Sequence, residues 1–117
     1  MKDYDRMLRV NELVKREVSE RIERDIAAEV KGLVTVTAVK VAQDLRSARV
    51  MISVLGAKPE TVLRLLERDR PELQRALATN TSLKYTPILH FRLDRSLEKA
   101  DQVLEILDEL ETNDDEE

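Results

Sequence analysis

Nine residues dense in β-branched side chains, Leu33-Val34-Thr35-Val36-Thr37-Ala38-Val39-Lys40-Val41, read as a strand and limit what the rest of the chain must cover. Val34 and Val36 alternate against Thr35 and Thr37, the pattern of a strand with one buried face. The alternation changes phase at Ala38-Val39, because Val39 and Val41 are odd-numbered where Val34 and Val36 are even. One extra residue in a β-bulge would bring all four valines back to one face. Gln43-Asp44-Leu45-Arg46-Ser47 then supplies turn formers, and Ala48, Val50, Ile52 and Val54 alternate with Arg49, Met51 and Ser53 up to Gly56. This second strand is expected to return antiparallel to the first.

The flanking segments carry helical spacing. From about Asp5 to Ala28, Met7, Val10, Leu13, Val14, Val18, Ile22 and Ile26 recur three or four apart and draw one stripe. A second helix starts at Pro59, a first-turn proline, with Val62, Leu63, Leu65 and Leu66 as its apolar set. Pro71 removes an amide donor from what periodicity alone makes one helix to about Thr81, so a break or kink is expected at Asp69-Arg70-Pro71. Leu73, Ala76 and Leu77 belong to the piece beyond it, capped by Asp69. Leu89, Phe91 and Leu93 face one way on a third strand, with Ile88, His90 and Arg92 on the other side. A last helix, capped by Asp94 or Ser96, carries Leu97, Ala100, Val103, Leu104, Leu107 and Leu110.

The expected order is α-β-β-α-kink-α-β-α, an α+β domain with helices on one face of a three-stranded sheet and the other face open. A chain of 117 residues forms one such domain around an aliphatic core without disulfides, since it has no cysteine. The domain is expected over residues 1–111.

His90 is the single histidine, so nucleophile–base pairs and nitrogen- or sulfur-rich metal sites cannot be built within one chain, and neither an enzyme nor a metal or other cofactor is expected. His90, beside Arg92, reads as an ordinary surface side chain. No apolar run is long enough for a bilayer, and Met1-Lys2-Asp3-Tyr4-Asp5 lacks the apolar core of a signal peptide. A cytoplasmic monomer with no membrane partner is the expectation.

The formal charge of −4 conceals a division. Residues 1–95 hold 19 Lys or Arg against 14 Asp or Glu, whereas residues 96–117 hold one Lys against ten acids, a body of +5 and an end of −9. Residues 112–117 have nothing to bury and are expected to form a disordered acidic tail. In the body, Arg64, Arg68, Arg70 and Arg75 gather about the break, with Lys84 before the third strand and Arg6 and Arg9 opening the first helix. Such a cluster suits phosphates, and a helix starting at the break would add free amides. The same arginines are equally suited to pairing with Glu67, Asp69 and Glu72 in solvent.

The run from Val34 to Val41, followed by Asp44-Leu45, Ala48, Val50 and Ser53-Val54-Leu55-Gly56, closely resembles the bacterial ribosome-binding factor A family. Leu83-Lys84-Tyr85 with Pro87, Leu89, Phe91, Asp94, Ser96 and Leu97 resembles that family's segment around its third strand, and Arg6 with Arg9-Val10 its opening. The resemblance spans about residues 6–110. It implies a KH-like domain of type II and a role in maturing the small (30S) ribosomal subunit by binding 16S rRNA, without catalysis. Asp69-Arg70-Pro71 stands where the family has an Ala-x-Gly kink, and Ala27 to Gly32 lacks the family's Asp-Pro-Arg entry to strand 1.

The RNA-binding set expected on this reading is Arg6, Arg9, Arg68, Arg70, Arg75 and Lys84. Without a Gly-x-x-Gly clamp, and with Tyr4 and Tyr85 as the exposed aromatic candidates, recognition of shape and phosphate is expected over base stacking. The rival is a protein-interaction module using the open sheet face, with Met51 and Ile88, or the apolar side of the last helix.

Overall fold

The computed structural model describes residues 3–96. Helix α1 spans Asp3–Arg21 and continues into a π-helical turn, Ile22–Ile26. Strands β1 (Leu33–Val41) and β2 (Ser47–Leu55) follow, then helix α2 (Pro59–Asn80) and strand β3 (Ile88–Leu93). The last helix and the acidic tail expected from the sequence lie outside the described residues.

The π-helical turn has a packing cause. Val14, Val18, Ile22 and Ile26 are all buried and four residues apart, and on an α-helix each such step drifts about 40° around the axis. A wider final turn, closed by the Ala27 amide donating to the Ile22 carbonyl at 3.1 Å, takes back part of that drift and keeps Ile26 on the core.

The sheet order is β1-β2-β3, with β1 antiparallel and β3 parallel to the central β2. Val36 pairs with Ile52 and Ala38 with Met51, so Thr37 is the extra residue of the expected bulge, one position before the phase change. Val34, Val36, Val39 and Val41 are consequently all buried, together with Ala48, Val50 and Ile52 of β2 and Leu89 and Phe91 of β3. α1 packs on β1, α2 on β3, and the helices touch each other over this face.

Gly32 makes the entry to β1 possible. Its φ of 151° lies where side chains are strained, and a Cβ there would stand 2.4 Å from the Leu55 carbonyl oxygen.

The break at Asp69-Arg70-Pro71 does not occur: α2 is one helix with Pro71 inside it. The Asp69 cap and the free amides of a second helix start are absent with it. Val62, Leu66, Leu73 and Leu77 explain why, since they are spaced four, seven and four apart and all are buried on one stripe spanning the proline. Burying four such side chains at roughly 1.5–3 kcal/mol each outweighs the ~3 kcal/mol that an interior proline costs. Pro71 is exposed, so its ring displaces no core atom.

Replacing Pro71 with Ala should therefore restore the amide donor to the Glu67 carbonyl and stabilise the chain by about 1–3 kcal/mol in urea unfolding. A neutral or destabilising outcome is what a helix start at Pro71 predicts instead.

Candidate nucleic-acid interface

The sheet has two ends, and the basic residues divide between them. One end carries Val41, Ser47 and Ile88, and the other Leu33, Leu55 and Leu93. The Val41 amide donates to Asn11 Oδ1 at 2.8 Å, which brings the first half of α1 to the Val41 end. Asn80 Nδ2 donates to Glu17 Oε2 at 3.3 Å, and Arg68 reaches Glu29, so α2 runs antiparallel to α1. At 1.5 Å per residue, Arg9 lies roughly 25 Å along the helix axes from Arg70. The six expected residues are spread along the helices rather than gathered in one cluster.

Arg68 and Arg70 are engaged by acids. Arg68 Nε donates to Asp69 Oδ1 at 2.8 Å and its Nη2 to Glu29 Oε2 at 2.9 Å. Asp69 first, then Glu29, raises the Arg68 pKa further above its ordinary value. Arg70 is half-buried and paired with Glu67 one turn earlier. Arg75 is exposed and borders a shallow recess with Arg21, Glu72 and Asn80.

Arg6, Arg9 and Lys84 belong to the Val41 end and are exposed, with no acid paired to them among the described residues. Lys84 Nζ lies 5.4 Å from the centre of the Tyr85 ring and the Arg46 guanidinium 5.5 Å from it. Two like charges beside one ring repel each other, so each is held there more weakly than a single cation would be. The Ile88 amide donates to the Arg46 carbonyl at 2.9 Å and fixes this loop against β3.

Sequence reasoning missed the residues beside them. Lys40 pairs in register with Arg49, and Arg49 with His90, so the three form one row across the open face. Arg92 follows two residues along β3. All four are exposed and none is in an ion pair among the described residues. They line a groove of about 570 Å³ that runs to Val41, Ala42 and Ser47 at the sheet end. The signal is present in the alternation, which turns Arg49, His90 and Arg92 outward, but register is needed to bring them together.

The border of this face toward the other end is Asp94. Its Oδ2 accepts from the Thr37 hydroxyl at 2.6 Å and its Oδ1 from the Ser96 amide at 2.9 Å, so the bulge residue of β1 meets the cap that follows β3. These bonds, from Ser96 foremost and then Thr37, hold the Asp94 pKa down to about 2. Among the described residues no group of acids or histidine is placed to hold a metal ion, and no helix is long and apolar enough to cross a membrane.

A family model described as ribosome-binding factor A matches residues 6–107. The ribosome-binding factor A of Opitutus terrae is 39% identical over 109 residues, covering 92% of this chain and 88% of that protein. The crystal structure of ribosome-binding factor A from Thermus thermophilus superposes with a TM-score of 0.66 at 28% identity, over 77% of this chain and 98% of that one. A homology model of the Thermus thermophilus factor, fitted into a cryo-EM map of its complex with the 30S subunit, superposes at 0.60 and 29% identity, over 71% and 89%.

A carboxyl with a depressed folded pKa stabilises above its unfolded value and ceases to do so as pH falls through the folded one. The contribution of Asp94 is thus complete above about pH 4 and lost toward pH 2. Melting temperatures of the wild type and Asp94→Asn should differ at pH 5 and converge near pH 2. A gap that is constant over that range contradicts the assignment.

Proposed function

The chain belongs to the ribosome-binding factor A family and has its KH-like fold, and from that premise we propose that it assists late maturation of the small ribosomal subunit by binding 16S rRNA. The observation that carries the reading is the set of cations without acid partners among the described residues at the Val41 end: Arg6 and Arg9 from α1, Lys84 with Arg46 on Tyr85. The related Thermus factor, seated in a map of a 30S complex, supports the same partner. Phosphates neutralised by such side chains release counterions, which drives association and makes it salt-dependent. The role is one of binding, in which a docked protein favours one RNA arrangement over another through differential affinity and makes no bond.

Arg68 and Arg70 would have to exchange a carboxylate for a phosphate, so their net gain on binding is small, whereas Arg9 and Lys84 have no such partner among the described residues to give up. Arg75 extends the basic surface along α2. The protein-interaction rival gains less support from the open face, because Met51 lies between Ala38 and Arg92, and Ile88 opposite Ser47. The Lys40-Arg49-His90 row separates these two apolar side chains, so they do not make one patch.

Two double variants of equal charge test the division. Arg9→Ala with Lys84→Ala should weaken cosedimentation with purified small subunits about tenfold at low salt, and Arg68→Ala with Arg70→Ala less than about threefold. The reverse order would move the interface to the middle of α2, and equal losses would leave only the overall field.

A further inference from the structure

The open face of the sheet holds a row of basic side chains that neither the helices nor the expected RNA-binding set uses. Lys40, Arg49 and His90 stand on three adjacent strands, which at about 4.8 Å per strand places three donors across roughly 10 Å. Arg92 lies one pleat further along β3, and one of its nitrogens is anchored on the Phe91 carbonyl at 2.9 Å. Asp94, the acid that borders the face, has both oxygens occupied by Thr37 and Ser96. The groove these side chains line continues to the Val41 end, where Arg46 and Lys84 sit.

We propose that this face is a second RNA-binding surface, which takes the phosphate backbone of a helical RNA segment across the Lys40-Arg49-His90 row with Arg92 beside it. The inference rests on the RNA-binding reading given above and adds a site and a ligand form to it. The ligand form follows from what the face lacks. Tyr4 and Tyr85 lie on α1 and in the loop before β3, and Phe91 is buried against the helices, so no aromatic ring stands on the sheet to receive an unstacked base. A charged, aromatic-free surface recognises backbone and shape, which a duplex presents continuously. The rigid strands also fix the donors without an ordering cost at binding, unlike cations on loops.

The test compares the full chain with a triple variant, Lys40→Gln, Arg49→Gln and Arg92→Gln, whose exposed side chains keep most of their length. A charge-conserving variant, Lys40→Arg and Arg49→Lys, serves as a control for folding. Each is titrated with a blunt RNA duplex of about 16 base pairs and with purified small subunits over a range of salt. The triple variant should bind the duplex at least about tenfold more weakly, with a salt slope shallower by about one for each cation that met a phosphate, while the control keeps the wild-type affinity. Subunit binding should fall as well. Unchanged or higher duplex affinity overturns the inference, and it is the result expected if the acidic segment 97–117 were the occupant of this face. If the wild-type chain fails to bind subunits at all, it is the ribosome-binding reading that falls, a result distinct from a triple variant that equals a binding wild type.

Discussion

Thr37 decides which side of the sheet is charged. Without an extra residue in β1, Val34 and Val36 would face the helices while Val39 and Val41 faced solvent, and Lys40 would point into the core. The bulge reverses that for the second half of the strand, so all four valines are buried on the face that α1 covers, and Lys40 falls into line with Arg49 and His90. A bulge leaves its extra residue unpaired, and here the Thr37 hydroxyl is satisfied by Asp94. Burying four valines on one face and presenting a basic row on the other are thus consequences of a single inserted residue.

The second constraint is the antiparallel packing of α1 and α2 over the apolar face. It fixes the ends: the opening of α1 and the close of α2 lie with Val41, and the arginines in the middle of α2 lie toward Glu29. Because Glu67, Asp69 and Glu29 are within reach there, Arg68 and Arg70 are neutralised locally. At the Val41 end Arg46 and Lys84 share a tyrosine ring, with neither side chain in an ion pair among the described residues, and Asp44 Oδ1 accepts from the Arg46 amide at 3.1 Å. A sum of charges over residues 1–95 does not reveal this, since it counts a paired arginine and an unpaired one alike.

Much of the fold is legible in the sequence, and for identifiable reasons. Alternation and β-branching mark β1, β2 and β3, and the phase change at Ala38-Val39 implies the bulge before any partner strand is known. Pro71 misleads because a local rule, the missing amide donor, is outweighed by the stripe of Val62, Leu66, Leu73 and Leu77 that continues through it. The π-helical turn at Ile22–Ile26 leaves only the four-residue spacing as a trace. Of the interface, the residue types are visible and their grouping is not. Lys40, Arg49 and His90 are separated by nine and forty-one positions and become neighbours only through strand register, whereas Arg68 and Arg70 draw attention because they are close in sequence.

Hydrogen exchange of the full chain, alone and bound to small subunits, tests the central claim most directly, because it reports contact along the backbone without altering a residue. Binding should slow exchange over residues 4–11, 42–49 and 84–92, with little change over residues 60–72. Protection concentrated in residues 60–72, with none in the other three segments, would contradict it.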